Sequence, residues 1–381
     1  MKIPFNKPHF TGEEIYHLSQ AAITGKLSGN GTYTKKCQSF LEERYSMRKA
    51  LLTTSCSDAL EMSALLCDLK PGDEVIMPSY TFVSTANAFA LRGAKIVFAD
   101  SRTDNPNIDA DSVESLITER TRVIVVMHYG GIACDMDRIM DIASKHNLVV
   151  VEDAAQALDA YYKDKHLGNI GSFGAYSFHE TKNIISGEGG MIAVNDPSKI
   201  VAAEVIWEKG TNRAAFARGE VEKYEWVSLG SSFLPNELTA AFLYAQLISI
   251  EDIQKRRLHI WQRYFDLLSE SGLQEHLILP NVPEYAHHNG HLFYVVVKTP
   301  EIRDELLNHL HSNGIHAVFH YLSLHNSPYY SPIHGHRPLP NAERYSSTLL
   351  RLPFYYSLSD SEIETVVDSI KTLFTGKTGR T

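Results

Sequence analysis

The stretch "RVIVVMHYGGIACDMDRIMDIASKHNLVVVEDAAQ", residues 122–156, decides the fold. It opens on a continuous apolar run, Val123 to Met127, and closes on a second, Leu148 to Val151. Neither run alternates apolar with polar residues, so each reads as a strand buried on both faces. The helix expected over 135–146 joins them by a crossover long enough for parallel pairing.

The same alternation extends in both directions. "DEVIMPSYTF" (73–82), "AKIVFADS" (94–101), "GAYSFHETK" (174–182) and "GGMIAVN" (189–195) read as strands ending in polar residues. Helices are expected at 57–68, 84–92 and 109–118. The pattern predicts an α/β fold, a mostly parallel central sheet with helices on both faces. Ligands of such sheets lie beyond the C-terminal strand ends, so the polar residues closing each run are the functional candidates. From 236 to 270 the pattern is long and helical. Beyond it, "HLFYVVVK" (291–298), a helix over 301–312, "IHAVFHY" (315–321) and a helix from 360 predict a smaller C-terminal α+β domain. The expected division is a large domain over 1–250 and a small one over 251–381. Segment 322–345, rich in Pro, His, Ser and Tyr, reads as a long functional loop.

Composition narrows the partners. The 381 residues are 44% hydrophobic and 21% charged, ordinary for a globular chain, with a net charge of -9. No basic block exceeds "KRR" at 255–257, so nucleic acid is not an expected partner. "MKIPFNKPHF" lacks the apolar core of a secretory signal. No run approaches the roughly 18 apolar residues of a membrane span. Cys37, Cys56, Cys67 and Cys134 show no C-x-x-C spacing. A reduced, cytoplasmic protein without a membrane partner is the expectation.

Asp153 closes "VVVED", where an ionised carboxylate is costly unless it has a cationic partner. Lys182, in "SFHETKNIISGEGG" (177–190), follows one strand-turn-strand excursion later. Two neighbouring strand ends then aim an acid and an amine at one cleft. That pairing suits pyridoxal phosphate: the lysine bonds the cofactor covalently, and the aspartate keeps its ring nitrogen protonated. The phosphate needs hydroxyls at a helix N-terminus, which "TTSCSDAL" supplies through Ser57, with Ser177 as a second. Phe82 offers a face for the ring, and Gln156 a hydrogen bond to its oxygen. Each residue has a plainer reading: Asp153 and Ser57 as helix caps, Phe82 as core, Ser177 as a strand-end serine. The order of phosphate loop, aromatic, acid, serine and lysine is what points to the cofactor. "SGEGG" lacks the lysine and hydroxyl of a P-loop, and its glycines let the backbone turn behind Lys182.

"TTSCSDAL", "PSYTFVSTANA", "VVVEDAAQA", "SFHETKN" and "GEGG" together resemble the nucleotide-sugar aminotransferases of the DegT/DnrJ/StrS type, along residues 3–374. The resemblance implies the aspartate aminotransferase fold (fold type I) and pyridoxal 5'-phosphate as cofactor. Lys182 would be the cofactor-bonding catalytic residue, Asp153 the partner of the pyridinium, and Gln156 that of the ring hydroxyl. Ser57 and Ser177 would hold the phosphate and Phe82 stack on the ring. It further implies a homodimer with shared active sites, acting on a nucleotide sugar and L-glutamate. The resemblance, carried further by "EKGTNR" and "AVFHYLSLH", implies dTDP-4-keto-6-deoxy-D-glucose as substrate, aminated at C4 to the galacto product. Gluco delivery, or amination at C3 of an isomeric keto-sugar, stays open. Lys209 and Arg213 are candidate contacts to the nucleotide, or else ordinary loop residues. Tyr321 and His325 are candidates to line the sugar pocket, or else packing residues. Many relatives carry Asn-x-Arg before the helix near Glu237, the Asn reaching the partner's phosphate. Ser232 and Leu234 stand there in this chain, which calls for a weaker or different contact. Sugar 3-dehydratases of the family replace the lysine by histidine. Lys182 holds that position here and His179 does not, which favours transamination over a cofactor-dependent dehydratase or lyase and over a silent regulator.

Eighteen histidines raise a metal reading. "HETKN" lacks the second ligand of H-E-x-x-H, because Asn183 stands in its place. "HHNGH" (287–291) and "HGHRP" (334–338) have no matching Cys or carboxylate spacing, so they read as surface or substrate-loop histidines. No metal is expected. No G-x-S-x-G elbow or G-x-G-x-x-G turn supports a hydrolase or a dinucleotide-binding fold.

Overall fold

A computed structural model describes residues 2–335 and 337–376. His336 of "HGHRP" and the last residues of the expected small domain, 377–381, lie outside the described residues. The chain begins with α1 (Glu14–Ile23) and α2 (Thr32–Tyr45), then enters the sheet through β1 (Ala50–Thr53). Next come α3 (Cys56–Leu66), β2 (Glu74–Pro78), α4 (Val83–Ala90), β3 (Lys95–Ala99), α5 (Ala110–Glu114) and β4 (Thr121–Met127). Helix α6 (Met136–His146) leads to β5 (Val149–Asp153). A short hairpin, β6 (Tyr161–Tyr162) and β7 (Lys165–His166), precedes β8 (Phe173–Ser177) and β9 (Gly190–Val194).

These strands build a seven-stranded sheet in the order β1-β9-β8-β5-β4-β2-β3. The pairs from β3 to β8 are parallel, and β9 runs antiparallel to both its neighbours. The mostly parallel sheet expected from the sequence is what forms. Continuous β-branched runs cause it: Val123, Ile124, Val125 and Val126 are all fully buried, with helices on both sides. Burying each such side chain is worth about 1.5–3 kcal/mol. Register then sets the site. Asp153 lies opposite Met127 on β4 and Ala175 on β8, so β5 and β8 end together.

Helices α7 (Ile200–Trp207), α8 (Arg213–Ala217) and α9 (Glu237–Ile248) lead to α10 (Ile250–Ser269), whose later turns already pack in the core of a second unit. That unit holds β10 (Leu277–Ile278), β12 (Tyr294–Val297) and α11 (Pro300–Ser312), whereas β11 (Ala286–His287) pairs with β6 in the sheet β11-β6-β7 beside the large core. Then follow α12 (Ser331–His334), α13 (Pro340–Thr348), β13 (Leu349–Arg351) and α14 (Asp360–Thr375). Its own sheet, β10-β12-β13, packs with Ile260, Leu306, Leu310 and Val366 into a separate core. Ile3 belongs to this core and bridges to Ile315, so the N-terminal segment packs on the C-terminal unit.

Several elements depart from the sequence reading. The helical stretch 236–270 breaks at Ser249 into α9 and α10. The loop 322–345 contains α12 and the start of α13, each with a proline in its first turn, where a missing N–H costs nothing. The strand read over 174–182 stops at Ser177, and Lys182 sits in a turn, its N–H donating to the His179 carbonyl at 2.9 Å. Two glycines shape that turn differently. Gly187 has φ +83°, and a methyl group added there would meet nothing within 4 Å. A Cβ on Gly190 would sit 2.3 Å from the Ser55 carbonyl carbon, because β9 presses against the start of α3.

Gly190→Ala should therefore displace the α3 N-terminus, costing about 1–3 kcal/mol. A lower melting temperature and weakened cofactor retention are expected. Gly187→Ala should cost only left-handed strain, about 1–2 kcal/mol, and leave cofactor retention intact. Thermal melts and cofactor absorbance after gel filtration of both variants check the contrast.

Candidate active site

A cavity of about 450 Å³ opens at the C-terminal ends of β5 and β8. The first turns of α3 and α4 close one side of it, through Ser55, Cys56, Ser57, Phe82 and Ser84. Asp153, Gln156, Ser177 and Lys182 form its floor and wall. Tyr321, His320 and Arg351 enter from the C-terminal unit, and Phe5 from the N-terminal segment.

Asp153 ends β5 and is 4% exposed. No helix follows it, so it is not the helix cap its position allowed. Its Oδ2 accepts the Thr85 hydroxyl at 2.6 Å, and its Oδ1 the Ala155 N–H at 3.1 Å. Burial pushes its pKa up, and the Thr85 and Ala155 donors, with Lys182, pull part of that back. The carboxylate is held in place yet keeps lone pairs for one more donor. Lys182 shares the cavity. Burial lowers its pKa, the charge of Arg351 lowers it further, and Cys56 and Asp153 act the other way. An amine held below its usual range gives up its proton more readily, as a nucleophile must.

The opposite end suits an anion. Ser55 caps α3 through the Asp58 N–H, and the Ser57 hydroxyl meets that of Ser84 at 2.7 Å. Two helix starts thus present hydroxyls and free N–H groups to one point. Ser177, at the end of β8, lines the same cavity. Phe82 is half exposed and faces Tyr321 across 6.0 Å. Gln156 is buried, its Oε1 accepting the Gly130 N–H at 2.6 Å and its Nε2 donating to the Tyr321 hydroxyl at 2.8 Å.

Comparison with known proteins fixes the family. Residues 8–371 match the DegT/DnrJ/EryC1/StrS aminotransferase family. The chain belongs to this family. The spore coat polysaccharide biosynthesis protein SpsC of Bacillus subtilis is 34% identical, over 98% of this chain and 97% of that one. The aminotransferase TlmJ of Streptoalloteichus hindustanus is 29% identical with a TM-score of 0.90, covering 99% of this chain and 100% of its own. Spr1654 of Streptococcus pneumoniae, assigned as a sugar aminotransferase and solved in a PLP form, is 25% identical with a TM-score of 0.90 and 98% coverage of both chains.

The cavity's donor set fits pyridoxal phosphate. A buried carboxylate can meet a ring nitrogen, an adjacent amine can bond the aldehyde carbon, and paired helix starts can take the phosphate. Of the residues singled out in the sequence, Ser57, Phe82, Asp153, Gln156, Ser177, Lys182 and Tyr321 all line the cavity. His179 sits at the rim, its Nδ1 3.0 Å from the Thr181 hydroxyl. His325 lies outside. It is buried between Ser79, at 2.6 Å, and Glu343, at 3.0 Å, with both ring nitrogens engaged. Lys209 and Arg213 stand on an exposed segment away from this chain's cavity, Arg213 3.5 Å from Glu208. Ser232 is exposed and Leu234 half-buried on the same stretch.

"HHNGH" corrects one expectation. His291 is buried, lines the cavity and meets Asn183 at 2.9 Å, so it is not a surface histidine. Among the described residues, no group of His, Cys, Asp or Glu could hold a metal ion. Thr85, His291, His320 and Arg351 were not singled out from sequence. Only Arg351 left a signal, as a lone cation inside the apolar run "LLRLPF".

Because Asp153 ionises less readily in the fold than in the unfolded chain, its charge costs stability at neutral pH and that cost fades as pH falls through its raised pKa. Asp153→Asn should therefore leave the apoprotein at least as heat-stable at pH 8 as the parent. Its aminotransferase activity should fall by two orders of magnitude or more, since an amide gives up a charge-assisted hydrogen bond. Melting curves and initial rates on one preparation test both halves.

Proposed function

We propose that this aminotransferase, working with pyridoxal phosphate, converts dTDP-4-keto-6-deoxy-D-glucose and L-glutamate to dTDP-4-amino-4,6-dideoxy-D-galactose and 2-oxoglutarate. The product would serve cell-surface polysaccharide synthesis in the cytoplasm. The observation that carries the chemistry is Asp153 and Lys182 facing one cavity beneath two helix N-termini. The substrate rests on the resemblance of "SFHETKN", "EKGTNR" and "AVFHYLSLH" to the dTDP-4-amino-4,6-dideoxygalactose transaminase of enterobacterial common antigen synthesis.

Bound there, pyridoxal phosphate supplies an electron sink for the carbon that exchanges its amine. Asp153 holds the ring nitrogen protonated, Gln156 and Tyr321 border the ring oxygen, and Phe82 covers one face. Ser57 and Ser177 orient the phosphate, with the α3 N–H groups behind them. Lys182 takes the donor's α-proton on Nζ and returns a proton during transfer, which its lowered pKa favours. Exchange is ping-pong: 2-oxoglutarate leaves before the keto-sugar accepts the amine. Lys182→Ala should abolish product and the visible band of the bound cofactor. Wild-type turnover with that band intact would remove Lys182 from the mechanism.

The resemblance implies a homodimer with shared sites, and the apolar surface this chain leaves open supports that reading. Ile15, Ile23, Trp226 and Leu229 are each more than 60% exposed. Lys209, Arg213 and Ser232, remote from their own cavity, then contact the nucleotide or phosphate of the partner's site. Sedimentation should show a dimer at assay concentration, and an active monomer would refute the shared site. Among the described residues no helix is long and apolar enough to cross a membrane.

The product's H3–H4 proton coupling, read by NMR, tests the sugar assignment. A small coupling marks the axial amine of the galacto product. A large one marks the gluco epimer and overturns the substrate reading while leaving the aminotransferase standing.

A further inference from the structure

His291 is a buried ring that lines the cavity and is fixed from behind by a chain of amides. Its Nδ1 lies 2.9 Å from Asn183 Oδ1. The Asn183 amide cannot face the other way, because its Nδ2 donates to the Asn289 carbonyl and to Gln254 Oε1, each at 2.9 Å. Gln254 is set in turn by its Nε2, which donates to the Leu158 carbonyl at 3.4 Å. A carbonyl cannot donate, so each group in the chain has one role and His291 Nδ1 must carry the ring's proton. Arg257 pins the backbone of His291 by donating to its carbonyl at 2.7 Å. Burial, and then the charges of Lys182, Arg257 and Arg351, hold the ring well below the usual histidine range. The ring is therefore neutral, with a bare lone pair on Nε2.

That lone pair receives no protein donor among the described residues. The Lys182 amine, on the residue before Asn183, likewise donates to no acceptor among them. Both side chains line the main cavity, and both line a crevice of about 10 Å³ beside it, together with Gln156, Ser177 and Asn289. A buried donor and a buried acceptor left unpaired in one place are costly. The neighbouring acceptors are taken. Gln156 Oε1 receives the Gly130 N–H at 2.6 Å, the Tyr321 hydroxyl the Gln156 amide at 2.8 Å, and the Ser177 hydroxyl the His179 N–H at 3.4 Å. Asp153 is engaged with Thr85 and Ala155, and its remaining lone pairs are those a ring nitrogen would use. The free acceptor beside the free amine is His291 Nε2.

Resting on the aminotransferase reading above, we propose that His291 is a positioning residue for Lys182: its Nε2 accepts an N–H of the amine whenever that amine is not bonded to the cofactor. One N–H held in the crevice fixes the direction of the nitrogen's lone pair. That lone pair must meet the donor's α-proton during turnover and, in the apoprotein, the aldehyde carbon of incoming cofactor. His291 aims the amine and moves no proton itself.

Two variants separate the ring's nitrogens. His291→Asn sets an amide N–H near the place of Nδ1 and keeps the tie to Asn183, but nothing reaches the place of Nε2. His291→Gln sets an oxygen near the place of Nε2 and gives up the tie. His291→Asn should melt close to the parent, yet its apoprotein should take up pyridoxal phosphate about tenfold more slowly, read from the visible band. Its holoenzyme kcat should fall about tenfold with the KM for L-glutamate unchanged. His291→Gln should melt lower but recover most of the uptake rate and kcat lost in His291→Asn. Nitrogen-15 NMR of the parent apoprotein at pH 7 should show Nδ1 protonated and Nε2 bare. A protonated Nε2 would overturn the proposal. Uptake and kcat at parent values in His291→Asn would overturn it by leaving the ring a brace for Asn183. Equal losses in both variants would reduce it to packing, and a raised KM at parent kcat would place it on the donor; each overturns the proposal too. A parent apoprotein that takes up no pyridoxal phosphate overturns the aminotransferase reading itself, a failure the NMR and melting results would not share.

Discussion

The site is organised around one costly burial, the carboxylate of Asp153 at the end of β5. Desolvation raises its pKa and so works against the ionised form that the proposed pairing with a pyridine nitrogen needs. Two donors and a neighbouring amine make its ionised form tolerable, and each comes from a different element. Thr85 lies on the first turn of α4, Ala155 on the turn after β5, and Lys182 beyond β8. The aspartate therefore works only if the sheet order places β5 beside β8 and α4 across their ends. Parallel register does this, setting Asp153 against Ala175 two residues before Ser177 closes β8. Fold and chemistry meet at that register.

The fold was legible because its driving force is local in sequence. Val149, Val150 and Val151 must be buried on both faces wherever they stand, and a helix must join them to Val123–Met127. The acid and the lysine were legible for a related reason, since strand ends in such a sheet converge. What escaped reading depends on contacts distant in sequence. Thr85 serves Asp153 across 68 residues, and its own segment says only that α4 begins there. His291 looked like a loop histidine because "HHNGH" is polar, yet Arg257 draws the Gly290 and His291 carbonyls inward and buries the ring. The strand read through Lys182 stopped at Ser177. Gly187 and the His179 carbonyl fold the next residues back on themselves, a geometry that a β-rich composition hides.

The two cores divide the labour. The large sheet supplies the acid, the amine and the anion-binding helix starts. The small sheet supplies Arg351, and the segment leading to it supplies His320 and Tyr321. These line the same cavity from the C-terminal unit. The N-terminal segment ties the halves together. Ile3 packs in the small core while Phe5 lies against Arg351 at the cavity. Residues near the chain's start thus help to fix a wall of the cavity, which a reading by consecutive domains does not anticipate.

Histidine abundance suggests pH sensitivity, but burial removes it from the rings at and around the cavity, while buried His128, paired with Glu152, is raised to about 10. His166 is pushed down to about 3 and His288 to about 4, and His291 and His320 are lowered as well. Stripped of charge near neutrality, these rings act as hydrogen-bond connectors. His291 positions Asn183 beside Lys182, and His320 accepts from Arg351. The cavity's field is then set chiefly by Asp153, Lys182 and Arg351. Burial and Arg351 lower the Lys182 amine, and burial raises Asp153 against its donors, so the two groups are drawn toward each other in proton affinity. An acid and an amine whose proton affinities approach each other across one cavity suit the proton transfers proposed above for Lys182.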